Sequence, residues 1–162
     1  MLIQQNVDGS DAFNRSWAEY KVGFNDTRGN YWLGNDLLSQ LTENGSYKLR
    51  FDLQLLTNRS WYWAEYSSFV VSSERHNYRL LVSGYSGNIG DALSYHNNTM
   101  FTTYDRDNDP HENNCAVTIG GGFWYSDCAY VYVNGVGGGF QWFQRNVPLW
   151  HSLQSSRMWL TC

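Results

Sequence analysis

Residues 46–55, Ser-Tyr-Lys-Leu-Arg-Phe-Asp-Leu-Gln-Leu, alternate apolar and polar side chains without a break. Tyr47, Leu49, Phe51, Leu53 and Leu55 fall on one face, and Lys48, Arg50, Asp52 and Gln54 on the other, which is the period-2 pattern of a strand with one face buried. Working outward, Ser60–Val71 and Asn77–Val82 read as further strands, joined by a polar turn at Ser72–His76. Neighbouring strands with short connections favour an antiparallel sheet. Upstream, Ser10–Phe24 (SDAFNRSWAEYKVGF) places Phe13, Trp17, Tyr20 and Phe24 at helical spacing, with Ser10 or Asp11 as the cap. A second helix is expected at Asp36–Leu41, with Leu37, Leu38 and Leu41 turned inward and Asn44-Gly45 ending it. From Gly84 onward regular periodicity fades into Gly, Asn, Asp and aromatic residues, and roughly half of the chain reads as ordered loop, a feature usually tied to function. The fold class expected is α+β in one domain, residues 1–162: a twisted antiparallel sheet, two or three short helices and a long loop-rich C-terminal half.

The composition limits what such a domain does. Hydrophobic residues make up 42% of the chain but aromatics reach 17%, so the core is expected to be built from Trp, Tyr and Phe. Eight Trp do not fit a disordered chain, and 15 Gly with 2 Pro supply turns rather than a linker. A net charge of −4, from 11 basic and 15 acidic residues, argues against a nucleic-acid binder, which needs a basic face. No apolar stretch approaches the ~20 residues of a membrane span. Sequons at Asn14, Asn25, Asn44, Asn58 and Asn97 lean toward an extracellular, secreted protein. Cys115 and Cys128 lie close together while Cys162 is the last residue, which suits one bridge and one thiol that is free or joins another chain.

The loop Asp105-Arg-Asp-Asn-Asp-Pro-His-Glu-Asn-Asn-Cys115 carries the clearest chemical signal, because alternating Asp residues can converge hard oxygens on one cation. An EF-hand is excluded: Pro110 stands where the loop needs Gly, and Ala116 where it needs a bidentate Glu. On composition alone a solvated acidic turn explains the loop equally well. A Cys115–Cys128 bridge would close a short Gly-rich loop and contribute about 3 kcal/mol by restricting the unfolded chain; two buried thiols are the alternative. Catalytic signals are poor. Ser86 lacks the glycine spacing of a nucleophile elbow, and His76, His96, His111 and His151 show no zinc spacing. Gly120–Gly122 and Gly137–Gly139 match no phosphate-binding loop. An enzyme is not expected, although a pair of glycosidase-like carboxylates is beyond what a sequence can exclude.

Taken together, DGSDAFNRSWAEYKVGF, GNYWLGNDLLSQLT, YKLRFDL, YRLLVSGYSGNIGDALSYHNNTMFTTYDRDND, NCA and FWYSDC resemble the fibrinogen C-terminal globular domain, the family of ficolins, tachylectins, tenascins and angiopoietins. The resemblance implies Ca²⁺ bound by the side chains of Asp107 and Asp109 and the carbonyls of His111 and Asn113, with Asp105 in support. It implies the Cys115–Cys128 bridge, a cis peptide at Asp127-Cys128, and amides at Cys128 and Ala129 that hold a ligand carbonyl. The departures are as informative. The family's N-terminal segment is missing, so the chain reads as truncated relative to the family. Ala129 replaces a histidine, the tract Val133–Trp142 is shortened, and His151 stands for Tyr in the W-Y-S-L motif. Trp142 matches the first tryptophan of the family's G-I-x-W-x-x-W motif, but Arg145 replaces the second.

The functional expectation is therefore a non-enzymatic, calcium-binding recognition domain. Its partner is a decorated glycan, bound in the manner of a lectin in innate recognition or adhesion, or alternatively an extracellular protein. The ligand-binding residues expected are Trp124, Tyr125, Asp127, Cys128 and Ala129, with Trp142 a further aromatic anchor unless it serves the core. Oligomerisation through Cys162 is a further expectation.

Overall fold

In the computed structural model, which describes residues 1–162, the alternating stretch forms β4 (Lys48–Leu55) with Leu49, Phe51, Leu53 and Leu55 buried. It pairs antiparallel with β5 (Trp61–Val71), which pairs with β6 (Leu80–Gly87). Its other neighbour is β8 (Leu149–Thr161), followed outward by β1 (Leu2–Asn6), β3 (Tyr31–Trp32) and β2 (Phe24–Asn25). The sheet order is thus β2-β3-β1-β8-β4-β5-β6, with β7 (Gln141–Gln144) attached to β8 as a hairpin.

Five of these strands, β1, β2, β3, β7 and β8, lie outside the sequence reading. β8 is a central strand inside the half expected to be loop, and β1 pairs with it. The alternation of β8 is hidden because Ser155 and Ser156 are both buried and the register shifts opposite Gln54/Leu55, a bulge that breaks the period-2 pattern.

The helices are shorter than expected at one place and longer at another. Ser10–Phe24 is not one helix: Asp11–Phe13 form a 3₁₀ turn, α1 covers only Trp17–Val22, and Phe24 enters β2. The cap is Ser16 rather than Ser10 or Asp11. Its hydroxyl accepts from the Glu19 N–H while the Glu19 carboxylate accepts from the Ser16 N–H, a reciprocal capping box. α2 runs Asn35–Glu43 and ends at Asn44, but Leu37 points to solvent while Leu38 is buried. α3 (Cys115–Ile119) closes the acidic loop.

The core lies on one face of the sheet and is aromatic. Tyr20, Trp32, Phe101 and Trp124 pack edge-on or tilted against one another at 5.1–5.9 Å, a spacing that adds to the area they bury. The loop half is ordered because buried polar side chains satisfy its backbone in place of a sheet partner. Gln4 and Asn6 both donate to Val133 O, and Asn134 donates to Gly122 O. Gly121 permits this crossing, since a Cβ there would sit 2.0 Å from Asn134 O.

Candidate functional site

The acidic loop is anchored at both ends by side chains turned inward. Asp105 accepts from the Trp17 N–H at 2.9 Å and the Thr103 hydroxyl at 2.7 Å, so it holds the first turn of α1 and faces away from the loop centre. Asn114 caps α3, accepting from the Ala116 and Val117 amides and donating to Thr103 O. Arg106, the one basic residue before His111, lies over the Trp17 ring at 4.0 Å and donates to Asn77, leaving no cation among the carboxylates.

Asp107 and Asp109 face each other across the loop. Asp107 Oδ1 accepts from the Asp109 N–H, and Asp109 accepts from the His111 N–H at 3.1 Å and the Cys115 N–H at 3.1 Å. Burial, opposed by the Cys115 amide and reinforced by the Asp107 charge, pushes the Asp109 carboxyl above its ordinary range. Hard oxygens with excess negative charge are the donor set a divalent cation such as Ca²⁺ takes. The Asn113 carbonyl lies 2.9 Å from His111 Nδ1.

His111 leads to the second half of the site. Its Nε2 lies 3.5 Å from Asp127 Oδ1, and its ring packs beside the Cys115–Cys128 disulfide, whose Cα atoms are 5.6 Å apart. With both sulfurs bridged, that His–Cys cluster offers no thiolate for a metal. Cys162 is free and exposed. Asp127 projects into solvent with 73% of its side chain exposed, and Tyr95 OH donates to Asp127 O. The N–H groups of Cys128 and Ala129 have no acceptor within the chain. Every peptide bond is trans, including Asp127-Cys128, against the cis bond that the resemblance implied.

Trp124 and Tyr125 are corrected. They are 0% and 1% exposed, and so present no surface to a partner. Trp124 Nε1 donates to Tyr78 O, and Tyr125 OH donates to Gly121 O. Trp142 is likewise buried, against Phe51 at 5.1 Å, with its Nε1 donating to Gly90 O. Aromatic residues among glycines read as exposed anchors, but here the glycines let the backbone close over the rings.

The surface aromatics are others. Tyr95 stacks on Tyr130 at 4.1 Å, Tyr130 on Phe143 at 4.7 Å, Phe143 on Trp150 at 4.8 Å, and Trp150 meets Tyr132 at 5.2 Å. The row is partly exposed, Trp150 at 40%, and begins at Tyr95, which holds Asp127. The missed signal was Tyr130-Val-Tyr-Val133: both Val are buried, so both Tyr face outward as in a strand. His96 fixes this segment from beneath. Fully buried, its ring meets Trp124 O through Nδ1 and accepts from the Tyr130 and Val131 amides through Nε2.

Residues 1–161 match the fibrinogen beta and gamma chains, C-terminal globular domain. Mouse angiopoietin-related protein 7 is 44% identical over 136 residues, which is 83% of this chain and 40% of that protein. The fibrinogen-like globe domain of human ANGPTL2 superposes with a TM-score of 0.86 at 37% identity, covering 99% of this chain and 78% of that one. Lamprey fibrin D-dimer complexed with the peptide ligand Gly-His-Arg-Pro-amide superposes with a TM-score of 0.84 at 30% identity, covering 98% of this chain and 60% of that one. The chain spans 40% or less of the length of such curated relatives.

Proposed function

Because the chain belongs to the family of fibrinogen C-terminal globular domains, we propose that it is a non-catalytic, extracellular recognition module that binds a protein partner. The observation that carries this reading is the partly exposed row Tyr95–Tyr130–Phe143–Trp150–Tyr132, continuous with Asp127 and with the unpaired amides of Cys128 and Ala129. Rigid aromatic side chains bury a large area at small entropic loss, and free amides beside them receive backbone or side-chain carbonyls of a peptide segment. Calcium at Asp107 and Asp109, with the carbonyls of His111 and Asn113, would neutralise the loop and hold His111 against Asp127. The sequon asparagines Asn14, Asn25, Asn44, Asn58 and Asn97 are all exposed, which is consistent with secretion.

Lectin-like binding is the second reading, favoured by the same two amides. Two hydrogen bonds contribute only ~0.5–1.5 kcal/mol each, and the family's neighbouring histidine is Ala129 here. A displayed peptide library selected on the immobilised domain in calcium, run beside a glycan array, separates the two. Enriched peptides are expected to lose tenfold or more in affinity to the Trp150→Ala and Asp127→Ala variants. Sugar-specific array signals with no enriched peptide would overturn the protein-binding reading in favour of the lectin.

A further inference from the structure

An open cleft of ≈ 630 Å³ lies between the loop after β6 and the turn joining β7 to β8, and it shares no residue with the calcium loop or with Asp127–Ala129. Its walls are Tyr85, Asn88 and Asp91 on one side and Gln144, Arg145 and Asn146 on the other. Gly90 lets the walls meet, because it sits at φ +90° and a Cβ there would lie 2.8 Å from Gln144 Cγ and 2.9 Å from Asn146 Oδ1.

The cleft is rich in unused donors. Arg145 makes no ion pair and no hydrogen bond, and its guanidinium rests 5.9 Å from the Tyr130 ring centre. Asn88 accepts from the Trp63 N–H and Gln144 from His151 Nε2, so both amide NH₂ groups lack a protein acceptor, and Asn146 has no side-chain partner at all. Against these donors stands one acceptor of note: Asp91 Oδ1 is taken by Tyr66 OH and the Ser94 N–H, which leaves Oδ2 free. Tyr85 is the single hydrophobic residue of the lining. A cleft of this size is large enough for a small molecule, but so polar a lining does not suit an apolar one.

We infer that this cleft is a second ligand site, for an acidic sugar: a hydroxyl-bearing ring carrying a carboxylate. Arg145 pairs with the carboxylate as a planar fork of donors, the three amides meet the hydroxyls, and Asp91 accepts from one of them.

Titration of the ¹⁵N-labelled protein with D-glucuronic acid tests the inference. Saturable shifts are expected at the amides of residues 87–91 and 144–146, with a dissociation constant on the order of millimolar, as befits so small a ligand. Binding should weaken tenfold or more in Arg145→Gln, survive in part in Arg145→Lys, fall with added salt and stay unchanged in Asp127→Ala. D-glucose should bind at least tenfold more weakly than glucuronate, and acetate likewise. An equal response to glucose or to acetate, shifts centred on Asp127–Ala129, indifference to Arg145→Gln, or no shifts would each overturn the site. Because Asp127→Ala and Trp150→Ala report on the other surface, failure here leaves the protein-binding reading standing, and the reverse holds too.

Discussion

Asp109 and Cys115 are joined by a 3.1 Å hydrogen bond from the Cys115 N–H to the Asp109 carboxylate, which makes the acidic loop and the cystine one mechanical unit. Whatever orders the carboxylate therefore orders the first half-cystine, and through His111 the exposed Asp127.

Calcium, proposed above to bind this loop, would supply that ordering. Extracellular calcium modules bind with dissociation constants of ~10⁻⁴–10⁻³ M. At tenfold excess, linkage gives about 1.4 kcal/mol of stabilisation, a rise of ~3–6 °C in melting temperature for a chain of this size. Scanning calorimetry with calcium and with EDTA should show that difference in the parent protein. It should vanish in the Asp107→Asn/Asp109→Asn double variant. Identical transitions with and without EDTA in the parent would remove the site.

Trp124 in the core and Trp150 on the proposed recognition surface are expected to behave oppositely. Trp124 is fully buried against Trp32, Phe69, Phe101 and Phe123. Trp124→Ala should therefore cost ~3–5 kcal/mol in urea unfolding. Trp150 is 40% exposed and packs against the partly exposed rings of Phe143, Tyr132 and Tyr130 rather than in the core. Trp150→Ala should cost less than about 1 kcal/mol yet weaken partner binding. Equal destabilisation by both would mean that the surface row is core.

These contrasts mark what the sequence makes legible. β4 could be read directly because one face is buried along its whole length, and the resemblance carried the disulfide to the right residues. β8 could not, since a bulge and two buried serines interrupt its alternation. The helix at Ser10–Phe24 was overextended because aromatic spacing was weighed above the local Ser16/Glu19 capping box, which sets the true start. Site residues failed where burial depends on distant partners. Nothing near Trp124 in sequence announces that Tyr78 O, 46 residues away, receives its indole N–H.

The cystine should prove structural. Cys115 is fully buried and bridged to Cys128 across 13 residues, while Cys162 is exposed and free. Non-reducing peptide mapping should recover a 115–128 cross-link, and Cys162 should alkylate without reductant. Replacing both bridged cysteines by Ala should cost about 2–5 kcal/mol and reduce the calcium-induced rise in melting temperature, since Cys115 carries the amide that Asp109 accepts. Full retention of that rise would uncouple cystine and loop.

His96 should set the acid limit of the proposed recognition surface, because it fixes the Tyr130–Val131 segment from beneath. Its ring is fully buried, with Nδ1–H donating to Trp124 O at 2.7 Å and Nε2 accepting from the Tyr130 and Val131 amides at 3.1 and 3.2 Å. Nε2 can accept these bonds only while neutral. Burial, partly offset by the Trp124 carbonyl, pushes the imidazole down to about 4. The unfolded chain protonates the same ring near pH ~6.5, so between the two values the unfolded state binds more protons than the native state. Stability is therefore unchanged above about pH 7 and falls as pH drops through 6.5 toward 4, by on the order of 3 kcal/mol. Urea midpoints measured from pH 7.5 to 4.5 should show this decline in the parent protein. His96→Gln should start lower at pH 7.5 but lose less over the range, because its side chain does not titrate. Carboxylate titration, common to both, cancels in the difference. Parallel curves for the two proteins would show that His96 is not the titrating group, and that Tyr130 and Tyr132 keep their outward positions by packing alone.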